Sequence, residues 1–171
     1  MRKILVVVDM QKDFVDGTLG TNEALAIIDK AVNKINDFDG EIFVTYDTHN
    51  SDYLETSEGK NLPVVHCVKG TQGWCLEEKI ATALGSKKYT KVEKTTFGAM
   101  NLPQIIGDGE KEIELIGLCT DICVVSNALI LKAAFPESEI KVDASCCAGV
   151  TPELHDAAIL TMKSCQIKVE E

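Results

Sequence analysis

The chain has 171 residues, 45% of them hydrophobic, and a formal net charge of −10. That length suits one domain, 1–171, with a sizeable core, and so acidic a chain lacks the basic face with which a protein displaces counterions from nucleic acid. No segment approaches the roughly 18 apolar residues of a membrane helix, and the apolar run at residues 4–8 is too short for a signal peptide and has no cleavage site after it, so the expectation is a cytoplasmic protein with neither nucleic-acid nor membrane partners.

In chain order, residues 3–8 form a largely β-branched run that reads as a buried strand. Residues 22–38 place Leu25, Ile28, Val32 and Ile35 three and four apart, which predicts an amphipathic helix with Thr21 or Asn22 as N-cap. A strand over 41–47, a helix over 74–84 and a strand over 88–93 follow. Residues 48–73 have weak periodicity, and a loop that long is often functional. The apolar run 113–118 leads into a helix over 122–135, stopped by Pro136. After a strand over 139–144, Thr151-Pro152-Glu153 opens another helix, with Thr151 as cap and Pro152 at its first position. A short strand near Ile167 closes the chain. This alternation predicts an α/β domain with a mostly parallel sheet. Ligands of such sheets bind beyond the carboxyl ends of the strands, and Asp9, Asp47, Lys94 and residues 118–123 all stand at those ends.

Three groups there carry chemistry. Cys123 lies between a buried strand and the first turn of a helix, where the helix dipole and free N–H groups would lower its pKa and could hold an oxyanion. Asp9, at the end of a hydrophobic strand, is poorly solvated, which raises its pKa toward the range of a general base; Lys94 could pair with it. Asp47 and His49 share one face of an extended segment, and His66 follows; one carboxylate and two imidazoles make a divalent site suited to zinc, iron or manganese. His155, on a late helix, reads as a surface residue. The seven cysteines are odd in number and contain no C-x-x-C pair, so no disulfide framework is expected. Cys146, Cys147 and Cys165 read as structural, and Cys119 stays open between the two roles.

The motifs VVVDMQKDF, YDTH with HCVKGTQGW, KTTFGA and GLCTDICV, in that order, resemble those of the nicotinamidase-related cysteine hydrolases of the isochorismatase-like superfamily. The resemblance implies a three-layer α/β/α fold with a six-stranded sheet, a catalytic triad of Asp9, Lys94 and Cys123, and a cis peptide between Leu118 and Cys119. That peptide would turn the N–H groups of Cys119 and Cys123 toward an oxyanion. It further implies that Asp47, His49 and His66 hold a divalent metal, zinc before iron or manganese, which binds a ring nitrogen of the substrate while Phe14 flanks the ring. Amide hydrolysis through a cysteine thioester, a small nicotinamide-like carboxamide as substrate, and homo-oligomerisation are implied as well. The pattern departs at Pro63, where many nicotinamidases carry a tryptophan; Trp74 is the only tryptophan here.

Competing readings are a vinyl-ether hydrolase of the isochorismatase type, against which Cys123 and the metal residues count, and a non-catalytic redox or partner-binding protein. A dinucleotide-binding domain is a third, but no G-x-G-x-x-G follows the first strand.

Overall fold

A computed structural model describes residues 1–171. Six strands, β1 (Arg2–Val8), β2 (Glu41–Asp47), β3 (Tyr89–Lys94), β4 (Lys111–Leu118), β5 (Glu139–Ala148) and β6 (Lys168–Glu170), pair in the order β3-β2-β1-β4-β5-β6, and every pairing is parallel. The long helices are α2 (Asn22–Asp37), α6 (Val125–Ala134) and α7 (Pro152–Ser164). Shorter ones are α1 (Lys12–Val15), α3 (Ser57–Asn61), α4 (Glu78–Gly85) and α5 (Leu102–Ile106). No helix is long and apolar enough to cross a membrane.

The central strand β1 is covered on both faces, which is why its sequence is continuously apolar and not alternating. Leu5 and Val7 pack with Ile28, Ile35 and Ile80 of α2 and α4, while Ile4, Val6 and Val8 pack with Leu102, Ala128 and Met162 of α5, α6 and α7. The result is the three-layer α/β/α arrangement. Buried acids on β4 and β5 are explained by the helix over them: Lys34 of α2 pairs with Glu114 at 2.6 Å and with Asp143 at 2.8 Å.

Several element boundaries differ from the expectation for local reasons. Thr21, not Asn22, caps α2, its hydroxyl accepting from the Ala24 N–H at 3.0 Å. Leu25 lies outside the buried stripe at 51% exposure, because Ala24, Ile27 and Ile28 turn inward instead. The helix expected from residue 74 starts only at Glu78, since Leu76 forms an isolated bridge with Gln11 and Glu77 caps the helix through its carboxylate. The strand expected to stop at 144 runs on to Ala148 and carries Cys146 and Cys147 into the core. The helix expected over 122–135 is a wide π-type turn at Thr120–Val124 that passes into α6.

The chain lays down β1, β2 and β3 toward one edge and then returns beside β1 with β4, so the order of strand addition reverses between β1 and β4 while all strands stay parallel. This is the switch point at which the loops leaving adjacent strands diverge and open a crevice. Asp9 and the Leu118–Cys119 peptide, which is cis, leave the sheet on its two sides. Gly117 sits at this seam with φ +122, and a Cβ there would fall 2.2 Å from the Val8 carbonyl oxygen. Gly117→Ala should therefore cost at least about 2 kcal/mol, from backbone strain and a clash that cannot relax within a paired strand. Urea denaturation of the variant beside the parent measures it.

Candidate active site

At the centre of the crevice lies Lys94, the last residue of β3, at 4% exposure. Its Nζ lies 2.7 Å from Asp9 Oδ2 and 3.3 Å from Asp47 Oδ1, donates to the Thr96 carbonyl at 2.9 Å, and stands 3.5 Å from Cys123 Sγ. Asp47 and Lys94 are register partners on β2 and β3, and Asp9 follows β1 next door, so adjacent parallel strands deliver the three charges to one point. Burial alone would lower the lysine pKa, but Asp9 first, with Cys123 and Asp47 beside it, outweighs that effect and holds Nζ protonated.

Asp9 has no exposed surface and takes a left-handed backbone conformation, φ 48. Its Oδ1 accepts from the Thr45 hydroxyl at 2.6 Å. Burial pushes its pKa above the ordinary carboxylate value, and Lys94 only partly reverses the shift. Cys123, 5% exposed, differs from the expectation. Its pKa is raised well above the usual thiol value, first by burial and then by the charge of Asp9 beside it. The dipole and N–H effects expected to activate it are outweighed, because the turn faces an acid inside a dry pocket and not water. Burial thus opposes the charged form of both the aspartate and the thiol. Cys119 is also held as a thiol, burial pushing it up to about 12, with Asp121 and Asp9 adding to the shift. Its N–H donates to no backbone carbonyl. Asn127 of α6 braces this side: it accepts from the Ala99 N–H at 2.9 Å and donates to the Cys123 carbonyl at 2.8 Å.

Beyond Lys94, Asp47, His49 and His66 converge, joined by Glu58 of α3; one ligand atom from each lies within 4.8 Å of all the others. His49 Nε2 and His66 Nε2 approach Asp47 Oδ2 at 2.9 and 3.4 Å and Glu58 Oε1 at 3.6 and 3.7 Å. Residues 67–69 run parallel beside His49, exchanging bonds of 2.9 Å with its backbone, which is what brings His66 to His49. The Asp13 carboxylate accepts the Cys67 N–H at 2.7 Å and fixes that bend. Gln11 holds Asp47 by both backbone groups, at 2.7 and 2.9 Å. The His66 Nδ1 meets the Val64 carbonyl at 2.7 Å, which leaves Nε2 free to act as a ligand.

The donor set fits a divalent cation. Two imidazole nitrogens and two carboxylates suit zinc, iron or manganese, and the buried His49 Nε2 makes no hydrogen bond although Asp47 Oδ2 is near. An orphaned buried polar atom costs about 1–3 kcal/mol, which a metal would offset. Burial alone would push Asp47 up; the imidazoles of His49 and His66 and the Lys94 ammonium outweigh it and hold the carboxyl well below its usual range. Glu58 escaped the sequence reading because 48–73 shows no helical period; the one local signal is Thr56, a helix cap two residues before it.

A cavity of about 220 Å³ joins the two halves, with Cys119 and Cys123 at one end and Asp47, Glu58 and His66 at the other. Its remaining walls are apolar apart from Thr21: Phe14, Leu19, Leu62, Phe97, Ile122 and Val150. Phe14 stands 5.4 Å from the His66 ring, centroid to centroid. Pro63 is exposed and its neighbour Leu62 covers that side. Trp74 does not line the cavity; its indole donates to Thr48 at 2.9 Å and lies under the Lys91 ammonium. His155, expected at the surface, is half-buried against Thr120.

Comparison with known proteins agrees with this architecture. The isochorismatase domain family matches residues 3–171. The uncharacterized isochorismatase family protein PncA of Bacillus subtilis (strain 168) is 30% identical over 143 residues, 75% of this chain and 78% of that protein. Among solved structures, nicotinamidase/pyrazinamidase PncA from Bacillus subtilis aligns with a TM-score of 0.87 at 26% identity, covering 100% of both chains. The pyrazinamidase of Pyrococcus horikoshii in complex with zinc aligns at 0.82 and 27% identity, covering 100% of this chain and 99% of the other. With the family matched along nearly its whole length and the fold shared throughout, the chain belongs to the isochorismatase family.

Proposed function

We propose that this protein is a cytoplasmic cysteine amidohydrolase that converts a small, neutral, nicotinamide-like carboxamide into its acid and ammonia. The observation that carries the reading is the joint contact of Lys94 with Asp9, Asp47 and Cys123, behind a cavity that Asp47 and Cys123 line together with Glu58 and His66 of the metal-ligand group. Nicotinamidase and pyrazinamidase structures at 26% and 27% identity support the substrate class. The lining supports it too: no Arg or Lys is among the twelve residues around the cavity, so nothing there would pair with the carboxylates of an isochorismate-like substrate.

In this mechanism the Sγ proton passes to Asp9 as Sγ bonds to the amide carbon and the carbonyl electron pair moves onto oxygen. The N–H groups of Cys119 and Cys123 receive that oxyanion, each donor contributing about 3–4 kcal/mol by comparison with mutated sites of this kind. Asp9 gives its proton to the departing nitrogen, ammonia leaves, and a thioester remains. Water then adds to the thioester with Asp9 taking its proton, and the sulfur departs and recovers it. Lys94 keeps Asp9 in position and balances the negative charge through both steps. A divalent ion, zinc by preference, held by Asp47, His49, Glu58 and His66 would supply a Lewis-acid anchor for a ring nitrogen. Phe14 would flank the ring. By family analogy the enzyme would be a homo-oligomer, a matter for light scattering.

An ammonia-release screen over nicotinamide, pyrazinamide, benzamide and aliphatic amides, with and without zinc, tests the reading. Turnover of the pyridine and pyrazine amides is expected, and failure of every amide by metal-loaded enzyme would overturn it. Cys123→Ala should abolish turnover with little change in thermal midpoint, and Asp9→Asn should lower kcat by about 10²–10⁴-fold. Because burial raises the Asp9 pKa, the acid limb of kcat/KM should lie above the ordinary carboxylate value of about 4; activity is lost as pH falls and the Asp9–Cys123 pair gains its second proton. Glu58→Gln should weaken zinc binding by about tenfold or more while His66→Ala removes stoichiometric binding, both read by calorimetric titration.

A further inference from the structure

The turn that carries Cys119 and Cys123 is tied to α7 by a contact outside the catalytic and metal groups. Thr120, the residue between them in the chain that follows Cys119 directly, has no exposed surface, and its hydroxyl lies 2.8 Å from His155 Nδ1. The next residue makes a second tie, Asp121 Oδ1 accepting the Val150 N–H at 2.9 Å. The two segments approach so closely that a Cβ on Gly149 would fall 2.8 Å from the His155 backbone nitrogen and 2.9 Å from Asp121 Oδ1. Helix α7 itself does not depend on His155. Thr151 caps it through the Leu154 N–H, and Ala158, Ile159 and Met162 anchor it in the core.

We propose that His155 is a positioning residue for the oxyanion site: through the Thr120 hydroxyl it holds the turn so that the N–H groups of Cys119 and Cys123 aim at the substrate oxygen. This rests on the cysteine-nucleophile reading above. Donors of an oxyanion site act only when prealigned, because hydrogen bonds weaken steeply with angle and the enzyme cannot reorganise during the reaction. A hydroxyl–imidazole contact is suited to this task. It fixes a side chain directly beside one donor and at the start of the turn that ends at the other, without adding charge to the cavity.

The experiment uses pyridine-3-carbaldehyde, whose carbonyl carbon takes the Cys123 sulfur in a reversible addition: the thiol proton passes to Asp9 and the carbonyl pair becomes an oxyanion. Protection of Cys123 from iodoacetamide, followed by mass spectrometry, reports that adduct without any amide turnover. In His155→Ala the aldehyde concentration for half-protection should rise about tenfold or more, and kcat for the best amide should fall in parallel with KM within about threefold. The alkylation rate without aldehyde should not change. His155→Asn, which can place a polar atom near the Nδ1 position, should recover part of the loss. Thr120→Val should reproduce it, Thr120→Ser should not, and Thr120→Val added to His155→Ala should cost nothing further. Equal aldehyde protection in wild type, His155→Ala and Thr120→Val overturns the inference alone. Absence of protection in the wild type overturns the nucleophile reading, and the inference with it.

Discussion

A single buried ammonium organises this molecule's crevice. Lys94 is sealed among Asp9, Asp47 and the Cys123 thiol, and none of these groups could stay buried in its present state without the others. An uncompensated buried charge costs several kcal/mol, so the lysine requires its carboxylates and the carboxylates require their lysine. The parallel register makes the arrangement possible. β3, β2 and β1 lie side by side, and a charge at each carboxyl end reaches the same point without any loop having to deliver it.

That ammonium also joins two kinds of chemistry. Toward Cys123 it faces an aspartate and a thiol whose pKa values burial raises. Toward the histidines it faces Asp47, whose carboxyl is held ionised and ready to act as a ligand. Two buried carboxylates and one ammonium leave negative charge uncompensated, and Glu58 adds more at the rim. The acids and imidazoles at the far end of the pocket suit a cation, across a small, largely apolar space from the Cys123 sulfur.

The apolar walls decide what enters that space. Phe14 and Phe97 contribute aromatic surface, while Leu19, Leu62, Ile122 and Val150 add aliphatic surface beside Thr21. Where Pro63 leaves the tryptophan position of many nicotinamidases empty of an aromatic, Leu62 closes the wall from the end of the short helix that bears Glu58. Aliphatic contact is less demanding of ring geometry than stacking is, so this wall would constrain the plane of a ring-bearing ligand less tightly than an aromatic one.

The sequence by itself determined the strands, their parallel pairing and the strand-end positions of Asp9, Asp47, Lys94 and residues 118–123. These follow from local periodicity and from a topological rule that needs no side-chain coordinates. It also placed Cys123 on a strand-to-helix turn. Tertiary structure alone decided the rest. Whether Leu25 or Ala24 faces the core depends on the rotation of α2 against the sheet, which periodicity leaves free by about one residue. The Cys123 pKa goes up and not down because desolvation and a neighbouring carboxylate depend on what lies across the crevice. Glu58 joins the histidines only when a loop folds onto His49, and His155 reaches Thr120 only when α7 returns over the turn. Those contacts join residues distant in the chain, and no spacing in the sequence encodes their distance in space.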